Sequence, residues 1–276
     1  MSSLRILVVA TKAPWPPVDG GRLVLLNTIE ALAEAGHHID LVAPCTKAAG
    51  EAAAALNACC TPHLVETRPR SGAAAALAGL TRGVPLTVAR HTLPAVREVV
   101  DRILAENRTD VIHAEQLHTL PQIENAEARG VLVVHRAHNV ENHLWAFSSR
   151  HRNPMTSSLL ALETRRMSAY EVFALETTAC TVALTEPDRR SLSALVPGAT
   201  VHTVPAPFAA ELSAGDELPC AADVPEVAVR MADAQPHVRG LARVDDVPGR
   251  VERQRDRFFV VDVLALLGGS HRNLFV

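Results

Sequence analysis

Residues 4–22, LRILVVATKAPWPPVDGGR, run from an apolar segment through a proline-rich loop to a glycine pair, and their reading decides the fold. Ile6, Leu7, Val8, Val9 and Ala10 are apolar without alternation, the pattern of a strand covered on both faces, as in a parallel sheet. From Leu23 the pattern turns helical. Leu23, Leu26, Asn27, Glu30, Ala31 and Glu34 separate into apolar and polar faces, and Gly36 is placed to end the helix. Gly20 and Gly21 therefore stand at a helix N-terminus, where unpaired backbone N–H groups favour phosphate. A tight strand-to-helix turn is served equally well by two glycines, so this stretch alone leaves both readings open.

The same alternation continues outward. His38 to Ala43 (HIDLVA) predicts a second strand and completes a βαβ unit. A weaker strand is expected around His63 to Val65, then a small-residue helix from Ala73 to Leu80, bordered by Gly72 and Gly83 and packed closely on the sheet. Leu93 to Asn107 is amphipathic, with Val96, Val99, Val100, Ile103 and Leu104 on one side. Asp110 to Ala114 (DVIHA) predicts a buried strand, Leu117 to Arg129 a helix, and Val131 to His135 a further strand. Ser157 to Thr178 predicts a long helix on which Glu163, Arg165, Arg166, Glu171 and Glu176 form a solvated, ion-paired face. Ala179 to Leu184 then gives a buried strand running into TEPD, with Thr185 as N-cap, Pro187 in the first turn and Asp188 in the capping-box position. A last strand, Val201 to Val204, follows the turn at Val196, Pro197 and Gly198. Strand and helix alternating in this way imply an α/β fold with a doubly wound, mostly parallel sheet.

Composition excludes several classes of function. A net charge of -3 over 276 residues, with a pI near 6.5, offers no basic field for nucleic acid. The five cysteines, Cys45, Cys59, Cys60, Cys180 and Cys220, form no CxxC pair and no zinc spacing, and read as reduced, mostly buried thiols of a cytosolic protein. The short apolar N-terminus, broken at once by Lys12 and prolines, fits neither a signal peptide nor a membrane span.

A second informative stretch is His135 to Glu141, HRAHNVE, directly after the apolar VLVV. Ligands of open α/β sheets bind at the carboxyl ends of the strands, which puts His138 and Asn139 on the rim that carries Gly20 and Gly21. Asn139 can also cap a following helix whose first turn holds Glu141, a structural role for part of the motif. His135 reads as a strand-end residue. His113 and His118 flank Glu115 and Gln116 on the same rim, but without a helical i, i+4 ligand pair a metal site is not expected there.

In order, APWPPVDGGR, DVIHAEQLH, HNVE, the long Glu/Arg helix and TEPDRRSL followed by VHTVP resemble the N-terminal domain of a GT-B fold glycosyltransferase of the glycogen-synthase-like family 4, over about Leu4 to Pro207. The resemblance implies one Rossmann-like half of a GT-B fold, and a retaining transfer of a sugar from a nucleotide-sugar to a small-molecule, glycan or lipid acceptor. It implies no metal and no cofactor, the nucleotide-sugar being substrate. Gly20, Gly21 and Arg22 match the loop that approaches the donor diphosphate, and His138, with Asn139 beside it, matches the histidine near the transferring sugar. Glu115 and Gln116 match the acceptor-side strand end. A cytoplasmic protein, free or peripheral at the membrane, is implied as well.

The family pattern stops after Pro207, where a donor-binding domain with a Glu-x7-Glu motif is expected. Pro219 to Pro248 is instead aperiodic, Val251 to Arg257 is densely charged, and the apolar run Phe258 to Leu267 is too short to cross a bilayer. The expected organisation is a Rossmann-like domain over 1–208 and an irregular tail over 209–276, disordered or the product of a frameshift. The function is then a glycosyltransferase incomplete as a single chain, working with a separate donor-domain polypeptide. Its rival is a non-catalytic remnant that binds acceptor and transfers nothing. An NAD-linked dehydrogenase is disfavoured because no GxGxxG follows the first strand.

Overall fold

The computed structural model describes residues 3–46, 49–106, 109–149 and 154–207. Strands β1 (Arg5–Val9), β2 (His38–Cys45), β3 (Thr61–Glu66), β4 (Val111–Glu115), β5 (Leu132–Ala137), β6 (Cys180–Ala183) and β7 (Val201–Thr203) form one sheet in the order β3-β2-β1-β4-β5-β6-β7. Every pairing is parallel, with Val8 opposite Leu41 on one side and His113 on the other. The expected α/β architecture is therefore present, and its sheet is parallel throughout. The chain leaves β1 toward β2 and returns to the other side of β1 as β4, so the strand order reverses between β1 and β4. In open α/β sheets that reversal opens a crevice at the carboxyl ends of the strands.

The helices are α1 (Gly20–Glu34), α2 (Ala49–Leu56), α3 (Gly72–Arg82), α4 (Leu86–His91), α5 (Pro94–Glu106), α6 (Glu141–Ser149), α7 (Pro154–Thr177) and α8 (Glu186–Leu195). Leu7, Val9, Ile112 and Ala114 of the sheet pack against Val96, Val100, Ile103 and Leu104 of α5 and against Met167 and Ala174 of α7. Burial of such side chains, at about 1.5–3 kcal/mol each, holds α5 and α7 on one face. On α1 the buried residues are Leu25, Leu26, Thr28, Ile29 and Leu32, whereas Leu23, expected on the apolar face, is 40% exposed. The helix ends through Gly36, whose φ of 87° lies in the left-handed region.

Several expectations are corrected by packing. Leu117–Arg129 is not an α-helix but two 3₁₀ turns, Leu117–Gln122 and Glu127–Arg129, because Pro121 sits inside the first and supplies no N–H. Two short helices, α2 and α4, join the expected set. The Ala-rich α3 packs on α4 rather than on the sheet. A Cβ at Gly79 would lie 3.0 Å from the carbonyl oxygen of Val84, so glycine permits that approach. His135 lies within β5, which runs on to Ala137.

The largest correction concerns α7. Glu163 and Glu171, expected on a solvated face, are buried. The carboxylate of Glu163 accepts from the amide of Leu86 at 2.8 Å and from Arg166 Nη1 at 2.9 Å, capping α4. Glu171 accepts from the amides of Glu141 at 2.6 Å and Asn142 at 3.1 Å, capping α6 in place of Asn139. One helix thus supplies, from two turns apart, the acceptors that two other helix N-termini need. At α8 the expected cap is present: Thr185 Oγ1 accepts from the amide of Asp188 at 3.2 Å, while the Asp188 carboxylate accepts from the Thr185 hydroxyl at 2.6 Å. The tail, 209–276, lies outside the described residues.

Candidate functional site

The carboxyl ends of β1, β4 and β5 bring a polar group of residues together at the strand-order reversal. Glu115, the last residue of β4, stands opposite Arg136 of β5 in register. Arg136 is fully buried and forks onto the carboxylate, Nε to Oε2 and Nη2 to Oε1, both at 2.9 Å. His113 Nε2 lies 2.8 Å from Oε2, and His138 Nε2 lies 2.5 Å from Oε1. Four donors meet two oxygens, which fills the acceptor capacity of a carboxylate. Arg136 Nη1 donates to Thr28 Oγ1 at 2.7 Å and so ties β5 to α1. Burial alone would raise the pKa of Glu115, but the Arg136 charge and the hydrogen bonds from His113 and His138 hold it well below the ordinary value of 4.5. Burial lowers the pKa of His113, which accordingly meets Glu115 as a neutral donor.

His138 follows β5 and is half-buried. Its Nδ1 lies 3.4 Å from Gln116 Nε2, and Gln116 Oε1 accepts from Thr11 Oγ1 at 3.2 Å. The amide therefore donates to Nδ1, and the ring proton sits on Nε2, facing Glu115. Gln116 is held in an uncommon backbone conformation, φ 69° and ψ 150°, the one non-glycine residue with positive φ among those described. Its N–H donates to the carbonyl of Arg136 at 3.0 Å and its own carbonyl accepts from Thr119 Oγ1 at 2.8 Å, so both neighbours hold the strained peptide in place.

Gly20 and Gly21 open α1. Neither has positive φ, so the backbone does not demand glycine there, and at a helix position glycine is about 1 kcal/mol worse than alanine. Space does not demand it at Gly21 either, since a Cβ meets only ordinary contacts. A Cβ on it would lie 3.8 Å from both His138 Cε1 and Lys12 Nζ and 3.4 Å from Asp19 Oδ1. The helix end is already capped, since Asp19 Oδ1 accepts from the amide of Arg22 at 3.0 Å, and Lys12 Nζ donates to both Asp19 oxygens at 2.8 Å. Arg22 turns back to the loop, with Nε 3.5 Å from Asp19 Oδ2 and Nη1 donating to the carbonyl of Pro16 at 3.4 Å.

Of the residues singled out from sequence, Gly21, Glu115, Gln116 and His138 meet at one place. Gly20 faces open space, Arg22 lies against its own loop, and Asn139 is exposed and outside the network. Glu115 turns its carboxylate inward, onto Arg136, His113 and His138. Arg136 and Lys12 were not singled out. Arg136 stands between two candidate positions in HRAH, and a cation inside a buried strand next to an acid on the neighbouring strand is the signal that finds it. Among the described residues no group of three or more His, Cys, Asp or Glu side chains is placed to hold a metal ion, and no helix is long and apolar enough to cross a membrane.

No known family's sequence profile matches the chain, and no curated protein matches its sequence. Solved structures resemble the chain in fold. Sucrose-phosphate synthase from Thermosynechococcus elongatus aligns at a TM-score of 0.49 and 15% identity, covering 73% of this chain and 48% of that one. Phytolacca americana UGT2, complexed with UDP-2fluoro-glucose and pterostilbene, aligns at 0.48 and 13%, covering 76% and 55%. Arabidopsis thaliana UGT89C1, complexed with UDP-L-rhamnose, aligns at 0.46 and 13%, covering 86% and 56%. The chain spans about half the length of these structures.

Proposed function

We propose that residues 4–207 form the acceptor-side half of a GT-B glycosyltransferase of the family 4 kind, which transfers a sugar with retention from a nucleotide-sugar to an acceptor without a metal. The observation that carries this reading is the convergence of Gly21, His138 and Gln116 at the strand-order reversal, in the positions that the motif resemblance marks. In such a transfer the leaving diphosphate gathers negative charge as the sugar becomes oxocarbenium-like. The first-turn amides of Gly20 and Gly21, which have no partner inside the helix, are placed to meet that charge, and Lys12 adds a cation by exchanging Asp19 for the ligand. A preorganised donor of this kind is worth about 3–4 kcal/mol in other transfer enzymes. Arg136 keeps Glu115 ionised, and Glu115 keeps the His138 proton on Nε2. A sugar or acceptor hydroxyl that displaces the Gln116 amide then donates to Nδ1.

Donor and acceptor must be held together for the reaction, and losing that positioning forfeits about 7–11 kcal/mol of barrier reduction. The proposal therefore includes a second, donor-binding half. The competing reading, an acceptor-binding module without transfer, is favoured by one feature: Asp19 and Gln116 already occupy the positions a ligand would take. The test is an assay of the purified 276-residue chain with a panel of nucleotide-sugars, alongside calorimetry with the nucleoside diphosphates. Binding that depends on Gly21, with turnover restored only by a donor-domain partner, supports the transferase. Robust transfer by the chain alone overturns the need for a partner, and absence of any nucleotide binding leaves the acceptor module as the reading. Translating the other two frames beyond the Pro219 codon tests the frameshift directly, through the presence or absence of a Glu-x7-Glu donor domain.

A further inference from the structure

Cys59 and Cys60 are adjacent, half-buried thiols in the turn between α2 and β3, at the amino ends of the strands and away from the rim described above. Their backbone amides both donate to the carbonyl oxygen of Leu56 at 3.0 Å, and both Sγ atoms point at that same oxygen, from 3.4 and 3.5 Å. One carbonyl thus gathers two sulfurs onto a single spot, and Leu56, fully buried, anchors the turn. The neighbouring Cys60 thiol lowers the pKa of Cys59, whereas the Cys59 thiol and burial raise that of Cys60.

We propose that Cys59 and Cys60 form a bidentate site for a three-coordinate thiophilic centre, of which a trivalent arsenical is the chemical class. Two sulfurs converging on one side suit a pyramidal centre that brings its own third substituent. Zinc wants four ligands, and the described residues place no third His, Cys, Asp or Glu with the pair. Soft sulfur ligands select soft centres. The reaction balances without an oxidant: an organic arsenic oxide and two thiols give two As–S bonds, the two S–H bonds break, and the oxide oxygen leaves with both protons as water. Arsenic remains trivalent.

The experiment uses the reduced full chain carrying Cys220→Ser, so that the accessible thiols are those of the turn. Phenylarsine oxide is added under native conditions, free thiols are counted, and the adduct is located by peptide mass spectrometry. The expected result is loss of two thiols per arsenical, an adduct on the peptide holding Cys59 and Cys60, and resistance to glutathione but not to a dithiol. Cys59→Ser and Cys60→Ser each leave one arm, and retention should weaken about 100-fold through lost effective concentration. An adduct elsewhere, loss of a single thiol, or reaction only after denaturation overturns the proposal. The peptide map on the parent chain decides the matter even if a serine variant misfolds.

Discussion

The Arg136 guanidinium lies against the Glu115 carboxylate with both side chains sealed from solvent, an ion pair bridging two adjacent parallel strands beneath the rim. Removing one partner of a buried pair strands the other charge, so Arg136→Ala should cost about 3–5 kcal/mol in urea unfolding. The double variant Glu115→Gln with Arg136→Met leaves no stranded charge and should recover much of that loss. The pH dependence follows from the depressed pKa of Glu115. Its contribution is present above the ordinary carboxylate value of 4.5 and is lost as pH falls through the lower folded value. In Arg136→Ala that acid-side loss should shrink or reverse, which unfolding curves at pH 3 to 7 would register.

Glu141 and Glu171 make the opposite case. Burial, with the Glu171 carboxylate close by, raises the pKa of Glu141 to about 7 from 4.5. The native state then holds a proton that the unfolded chain releases between those values, so stability falls as pH rises across that window. Glu141→Gln should raise the melting temperature at pH 8 and leave it nearly unchanged at pH 4.5. Equal shifts at both values would show that burial of this carboxyl carries no proton linkage.

Gln116 pays for its position with a backbone conformation that costs a non-glycine residue on the order of 1–3 kcal/mol. Gln116→Gly relieves that strain and deletes the bonds to Thr11 and His138. The expected outcome is a chain at least as stable as the parent in chemical denaturation. Its His138 ring nitrogen resonances should move in NMR at fixed pH, because Nδ1 has lost its donor. A destabilised variant with unmoved His138 ring resonances would show that the peptide is not strained and that the amide does not engage the ring.

Gly21 offers a test of the rim that spares the fold. A Cβ there makes only ordinary contacts, so Gly21→Ala should fold normally and keep nucleotide binding within a few-fold. Gly21→Val carries branched methyls into the space between Lys12, Asp19 and His138, and should weaken binding of UDP or a related nucleoside diphosphate in calorimetry by about 10-fold, near 1.4 kcal/mol. Equal affinities across parent, alanine and valine would remove the diphosphate from this end of α1.

Continuous apolar runs, glycine punctuation and capping residues are local signals, and from them the parallel α/β order from β1 to β7 and the rim positions of Gly21, Glu115, Gln116 and His138 could be read directly. Those signals report which face of a segment is covered, because strands buried on both sides have no alternation to hide. They do not report the partner of a polar side chain. Glu163 and Glu171 have the spacing of a solvated helix face, and only the packing of α7 on α4 and α6 turns them into caps for helices that lie far away in sequence. Arg136 likewise reads as a charge misplaced in a strand until the register sets it opposite Glu115. A desolvated charge is tolerable only where a counter-charge is buried with it, and that pairing is a property of two strands brought side by side.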